Sequence, residues 1–208
     1  MKTFLAIDTA ASYLTVIARN GAGKTFTAHL SDCAMNHSVK LLETVEKTLQ
    51  NAGMVPSDCD FFACVTGAGS FTGIRIGIST VKGLCTALDK PSLPVTSFDA
   101  IAYTTEKVKT LAVISAGHNY YYICGYNEDK EVILPPAYLS YEEVFALDGE
   151  YLLAGYEDLP FAGAVRADMA KGLLSAVESK ATSDKNLIPC EGLQAIYVRK
   201  SQAEENRK

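Results

Sequence analysis

The most constraining stretch of this chain is Phe61-Phe62-Ala63-Cys64-Val65, followed by Thr66-Gly67-Ala68-Gly69-Ser70-Phe71-Thr72-Gly73 and then by Val81, Leu84, Cys85 and Leu88. The first run is apolar throughout and too short for a helix, which predicts a strand buried on both faces. The last four residues repeat at i, i+3, i+4 and i+7, which predicts an amphipathic helix from about Gly73 to Asp89. A buried strand, a glycine-rich turn and a helix in immediate succession point to α/β architecture. Such a turn, with its glycines at 67, 69 and 73 and a helix beginning at once, can offer free backbone N–H groups to an anion. It can equally be a tight corner in which glycine only permits close packing. Both readings stay open. A P-loop is excluded, because Thr72 or Ile74 stands where its second glycine belongs. A hydrolase elbow on Ser70 fails because Ala68 and Thr72 replace its flanking glycines, and Thr72 also breaks a dinucleotide-binding GxGxxG.

The flanking sequence extends this grammar. Lys2 to Asp8, Leu14 to Asn20 and Gly23 to Leu30 are strand-like, with a hairpin signal at Asn20-Gly21-Ala22-Gly23. Asn36 can cap a helix that carries Leu41, Leu42, Val45 and Leu49 and ends near Gly53. After the glycine loop and its helix come a short strand, Leu93 to Thr96, and a third helix capped by Ser97 and running through Lys107. Leu111 to Ile114, Tyr120 to Tyr126 and Glu131 to Leu134 read as strands, Tyr141 to Leu147 as a helix and Tyr151 to Leu153 as a strand. A helix from Phe161 or Ala167 to Glu178, an Ile196-Tyr197-Val198-Arg199 segment and a frayed charged end, Glu204 to Lys208, follow. Three strands, a helix and a strand thus occur twice. The expectation is two α/β lobes, 1–107 and 108–208, each with a mixed sheet, the last helix or tail returning to the first lobe.

Composition narrows the function. With 208 residues, 48% of them hydrophobic and 21% charged, the chain can bury a core, and dominant disorder is excluded. The net charge of −5 disfavours tight autonomous binding to phosphate backbones. No export signal or membrane-spanning helix is expected, since Asp8 interrupts the first apolar run and the longest uncharged stretch, from Thr110 to Asn127, is rich in tyrosine and polar groups. The six cysteines lack CxxC spacing and read as reduced core residues of a cytoplasmic protein. His29, His37 and His118 form no metal-binding spacing; His37 reads as a surface residue at a helix start. Asp8 ends the first strand, where doubly wound proteins place catalytic or metal-coordinating carboxylates, or where a carboxylate simply accepts turn amides at residues 10 or 11.

Together, Leu5-Ala6-Ile7-Asp8-Thr9-Ala10, His37-Ser38, the run from Gly67 to Gly77 and Ile196-Tyr197-Val198-Arg199 resemble the TsaB (YeaZ) family. The resemblance covers residues 1 to about 107 well and the rest loosely. It implies an actin-like (ASKHA, ribonuclease H-like) fold and a non-catalytic subunit of the bacterial machinery that makes threonylcarbamoyladenosine next to the anticodon of tRNAs reading A-starting codons. The chemistry would lie in the paralogue TsaD, whose HxxxH metal element corresponds here to Thr96-Ser97-Phe98-Asp99-Ala100-Ile101, without histidine. Implied partners are TsaD, TsaE through the TsaB–TsaD complex, and a second copy when TsaD is absent, with tRNA touched only indirectly and no membrane. The implied partner surface is the first two helices, at His37, Leu41, Val45, Thr48, Gly73, Ile76, Gly77, Thr80 and Leu84. The small residues among these let another helix approach, although they can equally face the chain's own sheet. No cofactor is required; ATP or ADP is the nucleotide to test, at a vestigial site of Asp8, Thr9, Gly67, Gly69 and Ser70. Ala68 stands where the family usually has proline, and Ser115-Ala116-Gly117 where many members read Asp-Ala-Arg. The competing readings are an ATP-dependent phosphotransferase of the same fold, motivated by Asp8 and the glycine loop, and a peptidase acting on TsaD, for which no Ser/His/Asp or metal arrangement is visible.

Overall fold

The apolar runs become strands in the order their pairing demands. In the computed structural model, which describes residues 1–199, Phe4–Asp8 (β1), Leu14–Arg19 (β2) and Thr25–Leu30 (β3) form an antiparallel meander. Its register sets Asp8 opposite Thr15 and Leu14 opposite Leu30. Phe61–Val65 (β4) lies parallel to β1 with Ala63 opposite Ala6, and Ser92–Val95 (β5) lies parallel to β4. Every residue of β1 and β4 is buried, which is why neither shows polar alternation. The resulting order is β3-β2-β1-β4-β5.

The second half repeats it. Thr110–Gly117 (β6), Tyr120–Tyr126 (β7) and Val132–Ser140 (β8) form the second meander. Leu152–Gly155 (β9) and Val165–Arg166 (β10) add parallel strands, in the order β10-β9-β6-β7-β8. Two mixed sheets of the same connectivity make this the duplicated, ribonuclease H-like arrangement of the actin-like fold.

Among the described residues five α-helices cover these sheets: His37–Ala52 (α1), Phe71–Leu88 (α2), Ser97–Ala102 (α3), Tyr141–Phe145 (α4) and Met169–Lys180 (α5). Helix α1 packs on β2 and β3, α2 on β4 and β1, and α5 on β1, β2 and β5. Helix α3 touches α5 on one side and β6, β7 and β9 on the other, so one apolar core runs from the first sheet into the second. A satellite core under α4 gathers Leu111, Val113, Tyr121, Ile123, Val144, Leu153 and Phe161.

Polar pins cross this layer. Asp99 of α3 accepts the Thr96 N–H at 2.8 Å, faces Lys180 Nζ at 2.8 Å and accepts the Tyr126 hydroxyl of β7 at 3.1 Å. Tyr126→Phe removes one bond to a buried carboxylate and leaves the others, so a loss of about 1–2 kcal/mol is expected in chemical denaturation.

Several boundaries differ from the sequence expectation. Helix α2 starts at Phe71, two positions before Gly73, because Ser70 caps it: its Oγ accepts the Gly73 N–H at 3.2 Å. Asn36 precedes α1 but makes no side-chain cap bond. Thr96 rather than Ser97 caps α3, in a reciprocal box with Asp99, and the helix ends at Ala102 instead of Lys107. Strand β8 runs on through Pro135 and Pro136, which an edge strand tolerates. The segment 196–199, for which no element type was expected, is irregular, and Glu204 to Lys208 lie outside the described residues.

Candidate functional site

The glycine loop is built by close approach of backbone to backbone. Gly69 has φ 151°, in the region glycine favours, and the Ser70 N–H donates to Ala10 O at 2.6 Å. A Cβ at Gly69 would overlap the Ala10 carbonyl, and one at Gly73 would overlap that of Thr9. Thr9 Oγ1 in turn donates to Gly73 O at 2.7 Å. On the loop's other flank Gly67 O accepts the Ser97 N–H at 2.6 Å, and Thr66 O accepts the Ile196 N–H at 2.8 Å. The turn after β1, the start of α3 and the late segment therefore take up these loop groups.

Asp8 is fully buried. Its Oδ1 accepts the Ala10 N–H at 2.9 Å, closing an Asx turn, and its Oδ2 accepts the Tyr13 hydroxyl at 2.9 Å. Burial pushes its carboxyl up to about 6, against the opposing pull of those two hydrogen bonds and of His37. Burial, and then the nearby Asp8 charge, push the Tyr13 phenol upward too. The Tyr13 ring meets Tyr156 edge-on, with centroids 5.8 Å apart, and so joins the two halves over the carboxylate.

Outside this plug lies a cleft of about 770 Å³ whose polar walls include Ser12, Ser70, Thr72, Ser115, Tyr122 and Glu157. Gly69 and Ser70 line it; Asp8, Thr9 and Gly67 do not. Among the described lining residues there is no Lys or Arg, and the one basic side chain, His37, has its Nε2 2.9 Å from Tyr13 O, so no ammonium or guanidinium offsets the Glu157 carboxylate for a phosphate. Among the described residues no three His, Cys, Asp or Glu side chains gather as metal ligands would. No helix among them is long and apolar enough to cross a membrane. Cys33, Cys59, Cys64, Cys85 and Cys124 are buried free thiols, and Cys190 is half-buried.

The helix residues singled out by sequence divide sharply. His37, Leu41, Val45 and Thr48 are buried against the chain's own body. His37, expected at the surface, is held inside by Nε2 at 2.9 Å from Tyr13 O. Gly73 and Gly77 face Thr9; Ile76, Thr80 and Leu84 are half-buried. Between α1 and α2 runs a groove of about 500 Å³. Leu41, Ile76 and Thr80 reach it, joined by Leu42, Phe71 and Arg75. Leu42 and Val39 are 65% and 70% exposed. The signal for them was present in sequence, because both lie off the Leu41–Val45–Leu49 stripe that faces inward. Phe71 was missed because the helix was expected to begin at Gly73; Arg75 lies inside that expected helix but is neither apolar nor small, the two signals by which the partner face was read.

Comparison with known proteins places this geometry. The family described as "TsaD: tRNA N6-adenosine threonylcarbamoyltransferase" matches residues 31–189. The tRNA threonylcarbamoyladenosine biosynthesis protein TsaB of Escherichia coli strain K12 is 30% identical over 164 residues, 73% of this chain and 70% of that protein. TsaB of Bacillus subtilis strain 168 is 34% identical over 100 residues, 48% of this chain and 43% of that protein. Among solved structures, YeaZ from Pseudomonas aeruginosa superposes with a TM-score of 0.79 at 26% identity, covering 95% of this chain and 100% of that one. By sequence and by its duplicated sheet topology, this chain belongs to the TsaB (YeaZ) family of tRNA threonylcarbamoyladenosine biosynthesis, on the actin-like fold it shares with TsaD.

Proposed function

We propose that this chain, with lobes of residues 1–107 and 108–208, acts in the cytoplasm as a non-catalytic scaffold for threonylcarbamoylation of tRNA. In this reading it docks on TsaD through the α1/α2 face and helps form the site to which TsaE comes, while TsaD supplies the reacting groups. One observation carries the reading: the turn after β1 fills the corner where an actin-like ATPase would receive phosphate. Ala10 and Tyr13 hold the Asp8 carboxylate, Ala10 accepts the Ser70 amide, and the cleft beyond offers Glu157 and no Lys or Arg among its described lining. The exposed apolar residues beside the α1/α2 groove supply a surface for a partner. The contribution is then binding free energy that favours a competent TsaD, with tRNA contacted by the assembly.

The test is titration of the purified chain with its cognate TsaD. A complex at micromolar concentration is expected, weakened at least about tenfold by Leu42→Lys, which sets a second cation beside Arg75 in the groove. Absence of a complex with the unaltered chain, or a thermal shift and turnover with ATP by the chain alone, would refute the reading.

A further inference from the structure

The late segment of the chain lies on the first sheet's side of the molecule. Leu193 is fully buried, and the Ile196 N–H bonds Thr66 O at the head of the glycine loop. Tyr197 then lays its ring 4.8 Å from that of Phe71 and accepts Arg75 Nε on its hydroxyl at 3.0 Å. The Arg75 guanidinium carbon stands 3.7 Å over the Phe71 ring and 6.0 Å from the Tyr197 ring. Phe71 and Arg75 are one turn apart on α2, so the segment clamps the first turn of the helix through both.

The clamp borders the α1/α2 groove. Phe71 and Arg75 line that groove from α2, and Leu42 lines it from α1. Phe71, Ile196 and Tyr197 remain 40%, 38% and 43% exposed, so apolar surface continues out of the groove onto the late segment. Arg75 is the one charged residue among the described residues lining the groove. With its guanidinium seated against Phe71 and tethered by Tyr197, it surrenders rotamer freedom before any partner arrives, which lowers the entropic cost of pairing it with a carboxylate.

We propose that residues 193–199 form a strap that completes the docking surface. Tyr197 is a positioning residue, holding Phe71 and Arg75 ready for a partner whose face is helical and apolar and presents a carboxylate to Arg75. The occupant is the TsaD-type paralogue of the preceding reading, on which this proposal rests. The partner would bridge the groove and the strap together, and the seated strap would set how tightly it binds.

The experiment measures the affinity of the full chain for its cognate TsaD at two salt concentrations, with Tyr197→Ala, Tyr197→Phe and Leu42→Lys. Tyr197→Ala is expected to weaken binding about tenfold and to flatten its salt dependence, because Arg75 is released. Tyr197→Phe keeps the stacked ring and should stay within about threefold of the unaltered chain. Tyr197→Phe should melt within about 2 °C of it, and Tyr197→Ala, which gives up the packing of a half-buried ring on Phe71, within about 4 °C. If Tyr197→Ala binds as tightly as the unaltered chain while Leu42→Lys does not bind, the strap is refuted and the docking surface stands. If the unaltered chain forms no complex, the docking reading falls and the strap with it.

Discussion

Asp8→Asn is expected to stabilise this chain at pH 7.5 by up to about 3 kcal/mol, roughly 6–10 °C in melting temperature for a chain of this size. The carboxyl is fully buried and its folded value is raised from 3.8 to about 6. A group raised in this way favours folding while protonated. Its contribution is complete below about 3.8 and is lost as pH rises through about 6, where a buried charge must be carried. Asparagine keeps an oxygen for the Ala10 N–H and carries no charge. The advantage of the variant should therefore be largest at pH 7.5, fall to about a third of that at pH 4.5 and approach zero only below about 3.8. Melting curves of both proteins across that range test it, and a pH-independent gap would mean that Asp8 is not the titrating group.

The same variant separates the functional readings. A phosphotransferase that uses the first-strand carboxylate would lose turnover with Asp8→Asn while gaining stability, the usual trade at an active-site charge. A scaffold would gain stability and still support modification when paired with TsaD. Cells that depend on a supplied copy of this chain, scored for the modified adenosine in their tRNA, give the second readout.

How much of this was legible in the sequence depended on how local the cause was. Strand β4 matches Phe61–Val65 and strand β7 matches Tyr120–Tyr126 exactly as the apolar and aromatic runs predict, and Gly53 takes the left-handed cap conformation at the end of α1 with φ 66°. The α3 cap was displaced by one residue, although Thr96-x-x-Asp99 carries the box signature, because the neighbouring Ser97 is an equally good capping residue by type. Strand β10 is two residues long and exists only because β9 pairs with it, so no periodicity announces it. His37 looked like a surface residue because a helix start is usually exposed; only the fold brings the Tyr13 carbonyl over its ring. At the candidate site the loop, Asp8 and its turn amide at residue 10 were all visible, whereas the bonds from Ser70 to Ala10 and from Ile196 to Thr66 depend on contacts between distant parts of the chain.

The small residues of α2 looked like a seam for another helix, and the structure divides them into two kinds with opposite expected behaviour. Gly73 sits in the first turn, where an added Cβ would overlap the Thr9 carbonyl. The obstacle is backbone, so no rotamer change relieves it; α2 must move off β1, straining the Ser70–Ala10 and Thr9–Gly73 hydrogen bonds. Gly73→Ala is therefore expected to cost about 3–5 kcal/mol, a fall of roughly 8–16 °C in melting temperature. Gly83 lies two turns or more farther along, exposed, with nothing within 4 Å of an added Cβ. There alanine restricts the unfolded chain and favours the helix, so Gly83→Ala should gain about 0.5–1 kcal/mol. Gly83 is not among the groove's lining residues, so the affinity for TsaD should not change. Thermal melts of the two variants, with binding measured on the second, decide between an inward seam and a partner seam. Tolerance of Gly73→Ala together with weakened binding by Gly83→Ala would put the small residues against a partner and not against β1.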